Sequence, residues 1–177
     1  MISRACAVCA LSLFGLTSAC QRVVDAPLGD ASQDESRGQV QRYVFGTTDG
    51  EEISADGMHG RVTLLLFVTT FDLASQVAAK RVNQVLHTHR PRINAAAVVL
   101  EAAKYAPLAD VFKSTLELGY PVAIADLELL QRSSTLGDID RVPTLLVLDA
   151  EGREMYRKNG NFTVEELEGW LEHAQRR

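Results

Sequence analysis

The sequence predicts an α/β domain: a mixed β-sheet flanked by helices on both faces. Three observations carry that expectation. The short, continuously apolar, β-rich run "VTLLLFV" (62–68) reads as a central strand buried on both faces, and "INAAAVVLE" (93–101) as the next buried strand. A segment of helical apolar spacing separates them, so the two should lie parallel through a right-handed crossover. The C-terminal part then reads as strand, turn, antiparallel strand and amphipathic helix.

The chain opens with "MISR", an apolar run from Ala5 to Leu16, and "TSAC". That is the layout of a secretory signal peptide, and the run is too short to span a bilayer. Cleavage is expected before Cys20, making residues 1–19 a signal peptide. The box resembles that of bacterial lipoproteins, in which the cysteine receives lipid. Ordinary signal peptidase cleavage after Ala19 is the other reading. Either way the protein is expected to be exported, as a membrane-anchored lipoprotein facing the periplasm or cell surface if Cys20 is lipidated. Residues 20–40, polar and acidic, read as a flexible tether, and 41–177 as the folded domain.

The chain of 177 residues has three cysteines, Cys6, Cys9 and Cys20. Cleavage would discard the first two and leave Cys20 as the new N-terminus. Beyond it the only sulfur is in Met58 and Met155. An exported protein is free to use disulfides; the domain has no cysteine with which to form one, and no thiol to catalyse exchange. The net charge of −5 is spread along the chain without a basic stripe, which argues against nucleic acid as a partner.

Within the domain, "RYVF" has strand character, and Asp49-Gly50 is a turn signal before a second short strand. "VTLLLFV" follows. After Asp72, the residues Ala74, Val77, Ala78, Val82, Val85 and Leu86 recur at helical spacing, with Lys80, Arg81 and Gln84 opposite, and Arg90-Pro91 ends the helix. The next helix is expected from about Pro107 to Leu118, stopped by Gly119. "PVAIAD" (121–126) reads as a strand and Leu127 to Ser134 as a short helix. The final hairpin turns at Glu151-Gly152. In the last helix Thr163 and Glu166 form a capping box, and Val164, Leu167, Leu171 and Ala174 line one face.

With "FVTTFDLAS", "DRVPTLLVLDAEGRE", "TTDGEEISADGMHGRVTLLLFV" and "TVEELEGWL" in this order and spacing, residues 41–175 resemble the thioredoxin-like superfamily, specifically its exported, membrane-tethered TlpA-type redoxins. The resemblance places Asp72 at the position of the attacking cysteine, Ser75 at that of the resolving cysteine, Phe71 at the preceding aromatic, and Pro143 at the cis-proline. It implies a shallow groove formed by Phe71, Asp72, Ser75, Val142 and Pro143. It also implies thiol–disulfide exchange, which needs a thiolate that this domain lacks.

Each site residue has a plainer role beside the functional one. Asp72 is placed to cap the helix that follows, worth about 0.5–2 kcal/mol against alanine. Val142-Pro143 is placed either to turn the chain tightly or to leave backbone groups free for an extended peptide. His87 and His89 sit two apart at a helix end and point in different directions, His59 and His173 are single, and no metal or cofactor site is expected. The expected function is a lipid-anchored protein- or peptide-binding module without redox cysteines, a scaffold or pseudoenzyme of the cell envelope. The alternatives are a redoxin-type thiol–disulfide oxidoreductase or antioxidant protein working through Cys20, and a copper carrier.

Overall fold

A computed structural model describes residues 38–176. The expected signal peptide, Cys20 and the tether up to residue 37 lie outside the described residues. In chain order the elements are β1 (Val44–Gly46), β2 (Glu52–Ser54), α1 (Ala55–Met58), β3 (Val62–Val68), α2 (Leu73–His89), β4 (Ile93–Val99), α3 (Ala106–Thr115), β5 (Val122–Ile124), α4 (Leu127–Leu130), β6 (Thr144–Leu148), β7 (Glu154–Asn159) and α5 (Val164–Gln175).

Five strands form one mixed sheet in the order β5-β4-β3-β6-β7, while β1 and β2 make a separate antiparallel hairpin. β3 pairs parallel with β4 (Val62 opposite Ile93) and antiparallel with β6 (Phe67 opposite Thr144). Every residue of β3 is buried, which is why its sequence is apolar without alternation. Its even-numbered side chains Leu64, Leu66 and Val68 pack with α2, α3 and α5, whereas Leu65 and Phe67 face Tyr43, Phe45, Ile53, Leu129 and Leu136. The three longer helices thus share one face. The other is covered by the entry hairpin, the single-turn helices α1 and α4, and the loop after α4. Among the described residues every element and both core clusters lie between residues 40 and 176, so this segment carries a core of its own.

Three elements depart from the sequence expectation in detail. On α2 the buried residues are Ser75, Ala78, Ala79, Val82, Val85 and Leu86, while Ala74 and Val77 are only half-buried. The helix touches both the sheet and α5, which turns its buried stripe towards Ser75 and Ala79. α3 ends at Thr115 instead of Leu118. Glu117 takes a left-handed φ of 52°, and Leu118 N–H donates back to Lys113 O at 3.0 Å, the bond pattern of a helix terminated by a left-handed residue. Gly119 therefore stops nothing; its N–H donates to Asn83 Oδ1 at 2.7 Å and ties the α3–β5 loop to α2. α4 is one turn long, because Arg132 at φ 59° reverses the chain well before Ser134.

Candidate functional site

The parallel strands β3, β4 and β5 all end on one side of the sheet, and β6 begins there. Phe67 pairs with Thr144, so the segment leaving β3 (69–72) and the segment entering β6 (141–143) are neighbours at the same end. The Val142–Pro143 peptide is cis, as is Arg90–Pro91 at the opposite end. Pro143 is buried and Val142 half-buried. Pro143 O accepts from Gly160 N–H at 2.7 Å, and the Thr144 hydroxyl donates to Arg141 O at 2.7 Å.

Asp72 caps α2. Its carboxylate accepts from Ala74 N–H at 3.3 Å, Ser75 N–H at 2.8 Å and the Ser75 hydroxyl at 2.8 Å. Burial pushes its carboxyl pKa up, but those three bonds outweigh burial and hold it below the usual carboxylate range. Ser75 is fully buried; its oxygen also accepts from Thr69 N–H at 3.3 Å. Asp72 and Ser75, at the two positions the resemblance assigns to cysteines, are thus bonded to each other. Ser75 is spent inside the loop and has no face towards a ligand. The carboxylate that accepts its hydroxyl hydrogen is held below the usual carboxylate range and is a weak base, so the buried hydroxyl is not an activated nucleophile.

Two contributors were missed by the sequence reading. Glu101, just past β4, accepts from Thr70 N–H at 2.6 Å and from the Thr70 hydroxyl at 2.7 Å, pinning the middle of the 69–72 segment. A carboxylate shortly after a strand end carries no local signal of such a partner. The second is apolar exposure. Phe71 is 80% and Leu73 72% exposed. Phe71, Thr70 and Gln76 form one wall of a cavity of about 310 Å³ whose other wall is Leu108, Val111 and Leu116 of the α3 segment. Of the nine large apolar side chains exposed among the described residues, seven stand at this end: Phe71 and Leu73, then Tyr105, Leu108 and Val111 along α3, then Leu127 and Leu130 on α4. The cavity opens on the α3 side of the 69–72 segment, away from Pro143.

The loop before β6 is anchored from below. Arg157 on β7 makes a two-pronged pair with Glu154, Nε to Oε1 at 2.8 Å and Nη2 to Oε2 at 2.7 Å, and Nη2 also donates to Leu136 O at 2.6 Å. His89 Nε2 meets Glu168 Oε2 at 2.6 Å and ties α2 to α5. His87 points elsewhere, in solvent. Among the described residues no group of three His, Cys, Asp or Glu side chains is placed to hold a metal ion.

A mixed sheet with a cis-proline loop set against the start of its longest helix matches a well-populated group of solved structures. The chain has the thioredoxin-like fold. A secreted Mycobacterium tuberculosis disulfide oxidoreductase homologous to E. coli DsbE superposes with a TM-score of 0.62 at 16% identity, over 75% of this chain and 96% of that one. A thiol:disulfide interchange protein of the thioredoxin family from Chlorobium tepidum gives 0.63 at 22% identity, over 78% and 96%. StoA from Bacillus subtilis gives 0.59 at 21%, over 75% and 98%. No family model and no curated protein sequence matches the chain. At these identities the likeness to the thioredoxin-like structures is one of fold.

Proposed function

We propose that this protein is a lipid-anchored, thioredoxin-like binding module of the bacterial cell envelope that holds a protein or peptide at the end of the sheet bearing Phe71, Asp72, Val142 and Pro143. The observation that carries this reading is the pairing of Asp72 with Ser75 beside a concentration of exposed apolar side chains. The two residues at the reactive positions are consumed by hydrogen bonds to each other, while Phe71 and Leu73 next to them stand out in solvent. Large apolar groups gathered on one surface are a common mark of an interaction site. Export is supported by the signal-like N-terminus and by the fold's occurrence in a protein described as secreted.

Affinity capture from a cell-envelope extract tests the site. Wild-type protein retains a defined partner, and Phe71→Ser/Leu73→Ser and Asp72→Lys each lose it. Retention by both variants and by Pro143→Ala places binding elsewhere.

The fold it shares with disulfide oxidoreductases favours one second reading, thiol exchange through Cys20. Insulin reduction by the mature protein that disappears in Cys20→Ser establishes that reading and removes the first.

A further inference from the structure

At the end of the sheet opposite the candidate site, three exposed arginines gather. Arg61 directly precedes β3, and Arg90 and Arg92 flank Pro91 ahead of β4. Arg61 and Arg90 border a cavity of about 240 Å³, and Arg61 and Arg92 border a neighbouring one of about 180 Å³. Among the described residues none of the three has a carboxylate at ion-pair distance; Arg90 spends one donor on Gly119 O. Glu151 also lines the second cavity, and it is taken by Arg153 at 2.8 Å. Asp56, Glu117, Asp149 and Glu168 also lie at this end; Asp149 is held by Arg153 at 2.9 Å and Glu168 by His89 at 2.6 Å. Arg176 at the end of α5 and Arg42 at the entry hairpin add positive charge.

The remaining two of the nine exposed apolar side chains are here as well. Val40 and Val44 rim a third cavity, of about 490 Å³, together with Arg42, His59, Asp56 and Glu151. The chain also enters the fold at this end: Gly38 N–H donates to Glu154 O at 3.1 Å and Val40 pairs with Arg153. Three guanidinium groups without a carboxylate partner among the described residues, and two exposed apolar side chains, are thus collected at the end where the described chain enters the fold.

We propose that this arginine end is a docking surface for an anionic phospholipid membrane, with Arg61, Arg90 and Arg92 meeting headgroup phosphates and Val40 and Val44 resting in the interface. Guanidinium groups suit phosphate oxygens geometrically and are weakly hydrated, so they gain at such a surface. The choice of a membrane as partner rests on the anchored reading above; the surface itself needs no lipid on Cys20. Docked in this way, the domain holds its Phe71/Pro143 end away from the bilayer.

The test uses residues 38–177, which hold both core clusters of the described residues and lack Cys20, in co-sedimentation with vesicles. Binding is expected to vesicles containing phosphatidylglycerol and not to pure phosphatidylcholine, and is expected to fade at about 1 M salt, where the screening length shrinks to ~3 Å. Each arginine at such a surface is worth about fivefold, so R61Q/R92Q weakens binding roughly thirtyfold, while R61K/R92K, which keeps the charge, retains most of it. An unchanged melting temperature shows that the variants fold. Equal binding to both vesicle types, no binding to either, or indifference to R61Q/R92Q overturns the proposal, as does saturable uptake of inorganic phosphate without vesicle binding. If residues 38–177 fail to bind while the full chain stays membrane-bound, the anchor stands and the docking surface falls.

Discussion

Arg157→Ala is expected to be among the costliest single substitutions outside the apolar core. Its side chain is 5% exposed and that of Glu154 fully buried. Truncation leaves a carboxylate in the interior with neither of its two guanidinium bonds and strips Leu136 O of its donor. Breaking a buried pair from one side costs about 3–5 kcal/mol. With a urea dependence of about 1–3 kcal/mol per molar, the unfolding midpoint falls by roughly 2 M. The companion variant E154L/R157M removes both charges together and is expected to recover most of the loss, since no lone charge then remains. Urea unfolding of E154L, R157M and the double gives the coupling directly. Because residues 136–143 lead into the cis-proline, amide exchange there should quicken in Arg157→Ala at denaturant levels that leave the rest folded. A loss below about 1 kcal/mol for Arg157→Ala, or a double variant as damaged as the two singles combined, refutes the assignment of this pair as the anchor of that loop.

Asp72→Ala removes the cap and is expected to cost about 0.5–2 kcal/mol at neutral pH. Because the folded state holds this carboxyl below its usual pKa, the ionised group stabilises the fold above the unfolded pKa, and that contribution is lost as pH falls through the folded value; the gap between wild type and variant should therefore close in acid. Burial raises the Tyr43 pKa to about 12 from 10.0, so the folded state keeps a proton that the unfolded chain releases. Stability is then full below pH 10 and about 2–3 kcal/mol lower once pH has risen to 12, read as late phenolate absorbance and a falling denaturation midpoint. Glu117→Gly relieves a left-handed residue at the end of α3 and should add up to about 1 kcal/mol, measured by thermal unfolding.

The parts of the fold legible in the sequence are those fixed by local pattern. β3 needed only its unbroken apolar run, α5 its capping box and four-residue stripe, and the helix start only an aspartate after a strand. Long-range partners were not legible. Nothing near Glu101 indicates that it receives Thr70, thirty-one residues away, and nothing near Arg157 indicates that its guanidinium reaches Leu136 O. The end of α3 was misread because a glycine two residues on is the stronger signal, whereas Glu117 takes the left-handed turn against its propensity. At the site, Asp72 was assigned its cap from sequence. Ser75 reads from the sequence as a groove residue but is buried, since its spacing from Asp72 says nothing about which way a half-turn of helix faces.

The clasp of acid on hydroxyl ahead of α2 is closed by protons, not by electrons. Neither glutathione nor peroxide has a sulfur there to act on, so the clasp is the same in a reducing medium as in an oxidising one. Strong acid is the chemical change that the clasp itself registers, because protonating Asp72 weakens all three of its bonds together.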